Sequence, residues 1–310
     1  MASLLSLSLA LASLGSAAAF FCDGHMLVAQ VALDSGIMTA ATVAKVNALV
    51  QALNNDYPGT GTTFVESACW ADDLKAHATA QEASFHYIDL PICRFSSPQP
   101  CPAPESVNTV WAIGAAQSTV FAPASAALDK ARQLRLLAHF VGDIHQPLHA
   151  ATYFSDQFPA GDRGGNSWPV AGFPWTTELH ALWDGGLGLW FGDLERPLNA
   201  TGTAWLADNA QRVLAQFPVA SLQPFIKQYN VSEWANQSYA LAEGFVYTAP
   251  QAPTPVPAAY VAAGQQMILK QVAIAGCRLA DLLEYIFTAA ATDPAAAFVR
   301  LAAPRSRRGE

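Results

Sequence analysis

Apolar residues recur at helical spacing in four stretches of this chain. Val43, Val46, Leu49, Val50 and Leu53 line one face of a segment that the turn signal NNDYPG closes. The same period runs from Leu128 to Ile144, from Trp234 to Tyr247 and from Gln265 to Phe287. The last carries Leu279, Leu282, Leu283 and Ile286 on its inner face. Alternating β-branched runs, the mark of half-buried strands, are scarce. The stretch PAGDRGGNSWPVAGFPW is rich in Gly and Pro and is expected to be loop or short strand. The Pro-rich APQAPTPVPAA reads as a surface connection between the third and fourth helices. Neither an internal repeat nor a convincing linker interrupts the pattern. The expected fold class is all-α, one mainly helical domain with a few short strands or loops.

Composition sharpens this picture. The chain has 310 residues, of which 52% are hydrophobic and 13% charged. That supplies a large core for one domain, or at most two, and argues against disorder. The formal net charge is −8, with 16 Lys and Arg against 24 Asp and Glu. No basic stripe marks a nucleic-acid surface, so a phosphate substrate would need its positive charge from elsewhere, and bound metal would supply it.

The N-terminus reads as a secretory signal. LLSLSLALASLG is an apolar run short for a membrane span, and Ala17-Ala18-Ala19 offers a small-residue cleavage site. The expected organisation is a signal peptide at 1–19, a domain at 20–290 and a solvated tail at 291–310, with no membrane span in the mature chain. Localisation would be secreted or in the secretory-pathway lumen. That setting permits disulfides among Cys22, Cys69, Cys93, Cys101 and Cys277. Cys93 and Cys101 flank a short Pro-rich loop and are the favoured pair; the odd count leaves at least one thiol unpaired. Three sequons, beginning at Asn199, Asn230 and Asn236, are candidate glycan sites.

The candidate chemistry lies in HFVGDIHQPLH. His139 and Asp143 fall one helical turn apart on one face, and Pro147 breaks the helix so that His149 can swing to the same point. His180 and Asp184 in ELHALWD repeat the one-turn arrangement. Imidazoles and carboxylates in this pattern point to a metal site with several ions. His25 in DGHMLV, Asp72 in CWADDLK and His86 in FHYID complete five imidazoles and three carboxylates. A catalytic zinc takes about three protein ligands plus water, so the set suffices for more than one. His77 and His145 are read as ordinary packed or exposed histidines, and Trp70 and Trp183 as core residues beside the ligands.

Taken together, GH, WAD, HYID, HFVGDIHQPLH, GDRGGN and LHALWD resemble the zinc-dependent class I nucleases, single-strand-specific nuclease/3′-nucleotidases. WANQSYALAEGFVY and AGCRLADLLEYIF are similar to that family's last helical segments. The resemblance implies the mainly helical fold shared with zinc phospholipase C, and three Zn²⁺ ions in a cleft. By motif, Asp72, His86, His139 and Asp143 would hold the first zinc. His149, His180 and Asp184 would hold the second. His25, a bridging Asp143 and the free N-terminus of a mature chain starting at Phe20 would hold the third. Phe20, Glu178 and Glu284 depart from the family's usual Trp, Asn and Asn.

The implied substrates are single-stranded DNA, RNA and 3′-nucleotides, with no stable protein partner. Three Zn²⁺ against three carboxylates would leave the pocket about +3 if the histidines are neutral. A hydroxide activated between zincs would attack phosphorus in line. Asp72 would orient the water and Lys75 would contact phosphate. Tyr87 would stack on a base, Asp89 would accept from a base edge, and Asn166 would support the site from its loop. For Tyr87 a buried structural role competes, and for Asn166 a turn role. The rival functions are a zinc phospholipase C, which lacks the WAD and HYID signatures, and a catalytically silent zinc- or nucleotide-binding protein.

Overall fold

The computed structural model describes residues 20–56, 62–77 and 80–289; within these, the side chains of 55, 56, 75–77, 80, 81 and 289 are not described. The expected signal at 1–19 and the tail at 291–310 lie outside the described residues. The described residues form eleven α-helices: α1 (Cys22–Asp34), α2 (Ala40–Asp56), α3 (Phe64–Ser67), α4 (Trp70–His77), α5 (Thr109–Phe121), α6 (Ala127–Asp143), α7 (Leu179–Asp184), α8 (Ala200–Gln216), α9 (Gln223–Ile226), α10 (Val231–Gly244) and α11 (Ala258–Ala289). Two short strands, β1 (Leu90–Arg94) and β2 (Ala151–Ser155), pair in parallel with Leu90 opposite Ala151. The fold is thus mainly helical, and the four periodic stretches correspond to α2, α6, α10 and α11.

The architecture is organised around α1, which packs against α11, α8, α6 and α3. Met26, Leu27, Val28, Ala29, Val31 and Ala32 are all buried, so this helix is apolar nearly all round and belongs in the interior. Its one buried carboxylate besides the ligands, Asp23, accepts hydrogen bonds from the backbone N–H groups of Gly192, Asp193 and Leu194 at 2.8–3.1 Å. Three donors offset the desolvation of that charge and pin the loop after α7 to the helix bearing His25.

The second half of α6 and everything after it to Ala151 is buried. Helix α6 ends at Asp143, and Pro147–His149 forms a single 3₁₀ turn whose N-cap, Gln146, accepts from Leu148 N at 2.6 Å. Pro147 has no N–H to leave unsatisfied at that turn. Strand β2 follows at once, and its pairing with β1 brings the segment after His86 alongside His149; the Ile88 N–H donates to His149 O at 2.8 Å. The Gly- and Pro-rich segment at 159–175 is loop, as its composition dictates. The Pro-rich connection leaves Gln251 to Pro255 on the outside. It is tethered by Ala252 N to Pro169 O and Val256 N to Ala171 O, both 3.0 Å.

Disulfides join Cys22 to Cys69 and Cys93 to Cys101, and Cys277 is a buried free thiol that burial pushes up to about 12, so it is inert near neutrality. Two of the sequon asparagines have structural roles. Asn199 caps α8 by accepting from Gly202 N, and Asn230 caps α10 by accepting from Ser232 N. No helix among the described residues is long and apolar enough to cross a membrane.

Candidate metal centre

Six elements converge on one buried point. Helix α1 brings His25, α4 brings Asp72, and the 3₁₀ turn before β1 ends on His86. Helix α6 brings His139 and Asp143 from successive turns, the following turn brings His149, and α7 brings His180 and Asp184. Except for Asp72, whose side chain is 24% exposed, these side chains are buried. The donors fall into three groups: His25 with His139 and Asp143, Asp72 with His86 and His139, and His149 with His180 and Asp184.

Their spacing is that of ligands around a common ion. Zinc bonds of about 2.0–2.1 Å in tetrahedral array place neighbouring donor atoms about 3.3 Å apart. His86 Nδ1 lies 3.1 Å from His139 Nε2, and each lies 3.7 Å from Asp72 Oδ1. His149 Nε2 and His180 Nε2 lie 3.6 and 3.2 Å from the two oxygens of Asp184. His25 Nε2 lies 3.4 Å from Asp143 Oδ1. Asp143 stands between groups, its Oδ2 facing His86 and His139 at 3.0 and 3.3 Å and its Oδ1 facing His25 and His149 at 3.4 and 3.5 Å.

The outer ring nitrogens settle which inner ones are free to ligate. Nδ1 of His139 bonds Ala68 O at 2.6 Å, Nδ1 of His149 bonds His86 O at 2.7 Å, and Nδ1 of His180 bonds Gly164 O at 2.6 Å. A ring nitrogen facing a carbonyl must carry the hydrogen, so Nε2 of a neutral ring presents its lone pair inward. Nε2 of His25 and His149, and Oδ1 of Asp72 and Asp143, are buried without a hydrogen-bond partner. Orphaned buried donors and acceptors are costly, and their concentration here is explained by an ion that would ligate them. The donor set, imidazole with carboxylate, suits zinc.

Electrostatics point the same way. Asp143 is held well below the usual carboxylate range: burial opposes its charge, but His139 and His149 outweigh it. For His139, burial likewise opposes the charge, while Asp143 and Asp72 prevail and lift the ring to about 9. His25 goes the other way, to about 4, through burial and then the neighbouring charge of His139, whose ring stacks on it at 3.7 Å. The lift on His139 reflects two carboxylates facing one ring, a concentration of negative charge that a dication would neutralise.

Two glycines make room for this. A side chain at Gly142 would put its first carbon 2.7 Å from His25 Nδ1, and Gly164, at φ +60°, would meet Leu148 O at 2.5 Å. Gln146 escaped the sequence reading although it lies inside the central motif: its Nε2 donates to Asp184 Oδ1 at 2.7 Å, orienting that ligand. Thr152 did too. Its hydroxyl donates to Asp89 Oδ1 and accepts from Gly164 N at 3.2 Å, tying the HYID segment to the GDRGGN loop. Only the tertiary contacts identify either residue.

Of the remaining expected site residues, Tyr87 is 36% exposed beside the centre, not buried. Burial of Asp89 raises its carboxyl above the ordinary range despite the bond from Thr152. Asn166 donates to Arg163 O at 2.7 Å, a turn role. Phe20 is fully buried, its ring edge-on to His25 at 5.8 Å, and Phe21 N donates to Asp184 O at 3.2 Å. The side chain of Lys75 lies outside the described residues. Among the residues read as structural, His145 donates to Val141 O and meets Arg278 at 2.7 Å. Trp183 donates to Tyr260, and Glu284 accepts from Thr39 N ahead of α2; His77's side chain lies outside the described residues. Glu178 is exposed just before α7.

Comparison with known proteins finds the S1/P1 nuclease family matching residues 20–288. The chain is similar to Endonuclease 4 of Arabidopsis thaliana, 29% identical over 174 residues that cover 52% of this chain and 53% of that protein. It is similar to Endonuclease 2 of the same plant, 26% identical over 172 residues and covering 52% and 53% respectively. It thus spans about half the length of these relatives. Endonuclease 1 of the same plant is 23% identical over 304 residues, covering 90% of this chain and 91% of that protein.

Proposed function

Since the chain belongs to the S1/P1 nuclease family, zinc-dependent hydrolases of phosphodiester bonds, we propose that it is a secreted nuclease holding three zinc ions. It hydrolyses single-stranded DNA and RNA to 5′-nucleotides and removes the phosphate of 3′-nucleotides. The observation that carries this reading is the gathering of His and Asp donors into three groups, each holding at least one buried atom of His25, Asp72, Asp143 or His149 that has no hydrogen-bond partner.

In this reading Asp72, His86, His139 and Asp143 hold one zinc, His149, His180 and Asp184 a second, and His25 with Asp143 a third. The third is completed by the amine and carbonyl of Phe20 after removal of residues 1–19. Residues 20–290 are then the nuclease domain and 291–310 a tail. When bound, zinc would supply an activated water at neutral pH and positive charge for the phosphoryl oxygens. Asp72, the ligand carboxylate open to the cleft, orients the attacking water. Lys75 contacts the phosphate. Tyr87 offers a ring face that any unstacked base can use, which favours single strands. Asp89, with one oxygen engaged by Thr152, turns the other to a base edge. Gln146 and the carbonyls of Ala68, His86 and Gly164 fix the ligands' orientation.

The test is elemental analysis of the secreted protein together with hydrolysis of single-stranded DNA, RNA and 3′-AMP, with and without a chelator. Three zincs per chain and chelator-sensitive turnover of all three substrates are expected. A zinc-loaded protein without turnover would leave a silent metal protein, and cleavage of phosphatidylcholine would indicate a phospholipase. An added residue ahead of Phe20 should remove one zinc and most activity; an unchanged zinc count would refute the role of that terminus.

A further inference from the structure

Five large apolar side chains are conspicuously exposed among the described residues: Tyr87, Val107, Trp111, Leu128 and Phe191. Three of them share one patch. Thr109 N donates to Tyr87 O at 3.0 Å, so the start of α5, with Val107 just before it and Trp111 in its first turn, lies against the segment that carries His86 and Tyr87. Trp111 is 50% exposed, the most of the five. Its ring is backed on one side by Phe85 at 5.3 Å, which holds it in place and leaves the rest to solvent.

Beside Trp111 opens a cavity of about 330 Å³. Ile88, Val110 and Trp111 give it apolar walls, and Ser106, Asn108 and Asn236 give it neutral hydrogen-bonding groups. No charged residue lines it. Asn108 is held rigidly, its oxygen capping α5 at Val110 N and Trp111 N and its amide donating to Glu105 O at 2.6 Å. Ile88, one wall of this cavity, directly follows Tyr87, and the bond from Thr109 N to Tyr87 O fastens the start of α5 to the same segment, so the cavity lies beside the stretch that carries Tyr87.

Such a lining excludes phosphate, which would need cations or free N–H groups, and fits a planar, neutral ligand with polar edges. From this arrangement we infer that Trp111 and the adjoining cavity form a second nucleobase subsite, taking the nucleotide next to the one on Tyr87 in a single-stranded chain. The inference rests on the nuclease reading above and adds to it a reason for oligonucleotides to bind more tightly than mononucleotides. Stacking on a fixed indole is indifferent to base identity, so this subsite adds affinity and not sequence preference.

The experiment compares wild type, Trp111→Ala and Trp111→Phe on a thymidine hexanucleotide and on 3′-AMP. Loss of one stacked base corresponds to roughly a tenfold rise in KM. Trp111→Ala is expected to show it on the hexanucleotide with kcat unchanged, and to leave both parameters unchanged on 3′-AMP. Trp111→Phe, which keeps a ring face, should restore most of the KM. Equal KM in wild type and Trp111→Ala would overturn the subsite, and so would an equal loss on both substrates, which would mark Trp111 as structural. If wild type hydrolyses neither substrate, the nuclease reading fails separately. Anisotropy of a fluorescein-labelled hexanucleotide then decides the subsite by itself: weaker binding by Trp111→Ala than by wild type supports it, and equal binding or none overturns it.

Discussion

Single atoms decide whether this centre forms. Gly142 sits one residue before Asp143 and against the outer edge of His25. His25 cannot retreat, because its other face stacks on His139 at 3.7 Å. Gly142→Ala should therefore push His25 off its position, a displacement that tightly packed interiors resist at about 1–3 kcal/mol. The expected outcome is loss of the zinc assigned to His25 and Asp143, with activity falling on the order of 100-fold, as for disturbed support of metal ligands. Elemental analysis beside a hydrolysis assay reads both, and retention of full zinc with full activity would contradict it. The same scale explains why Gln146 matters. Its side chain reaches Asp184 from a 3₁₀ turn, so it acts on a ligand 38 residues away in the chain.

At the scale of elements, the centre depends on how helices and loops are fastened. The Cys22–Cys69 bridge closes a sequence separation of 47 residues, against 8 for Cys93–Cys101. It also lies just before His25 in α1 and just before Asp72 in α4, so it clamps two ligand-bearing elements. Loop-closure entropy gives it about 4 kcal/mol, against about 2.5 kcal/mol for the shorter loop. Replacing Cys22 and Cys69 by Ser should lower the denaturation midpoint more than replacing Cys93 and Cys101, and should alone reduce zinc retention. Equal effects of the two pairs would show that the clamp has no role at the centre.

The GDRGGN loop offers a second test. Burial drives the carboxyl of Asp162 up to about 6, opposed by hydrogen bonds from Tyr153 N and Tyr247. An acid raised by folding binds its proton more tightly in the native state. Its contribution is therefore complete below the unfolded value of 3.8 and is lost as pH climbs through about 6. The expected loss is up to about 3 kcal/mol. In chelated protein, wild type should lose this much relative to Asp162→Asn between about pH 4 and about pH 7. Parallel stability curves for the two proteins would rule it out.

For the whole molecule, the governing fact is charge. On the proposed function an acidic protein of net charge −8 acts on a polyanion, so attraction must come from the centre and not from the surface. Few phosphates are then neutralised. With about 0.7 counterions released per phosphate on a single strand, KM should rise with NaCl to roughly the first or second power. A much steeper dependence, measured on a single-stranded oligonucleotide, would reveal a basic track that the composition does not suggest.

Helix periodicity, the shortage of alternating strands and the local spacing of His139 with Asp143 and of His180 with Asp184 were all legible along the chain, because 3.6 residues per turn is a local rule. His25, Asp72 and His86 joined the candidate ligands by residue type and context, and resemblance to a family supplied their grouping around separate ions. Helix α1 escaped the periodic reading because it is buried on nearly every side and has no polar face to set against an apolar one. Beyond reach altogether were the roles of Gln146 and Thr152, the exposure of Tyr87 and Trp111, and the choice of ring nitrogen at each histidine. Those depend on carbonyls and side chains that approach from Ala68, His86 and Gly164, segments remote in the chain. Sequence alone determined which residues were capable of ligation and which neighbours shared a helical face; packing decided which atoms met, because a hydrogen bond or a coordination shell is sensitive to tenths of an ångström that no local pattern encodes.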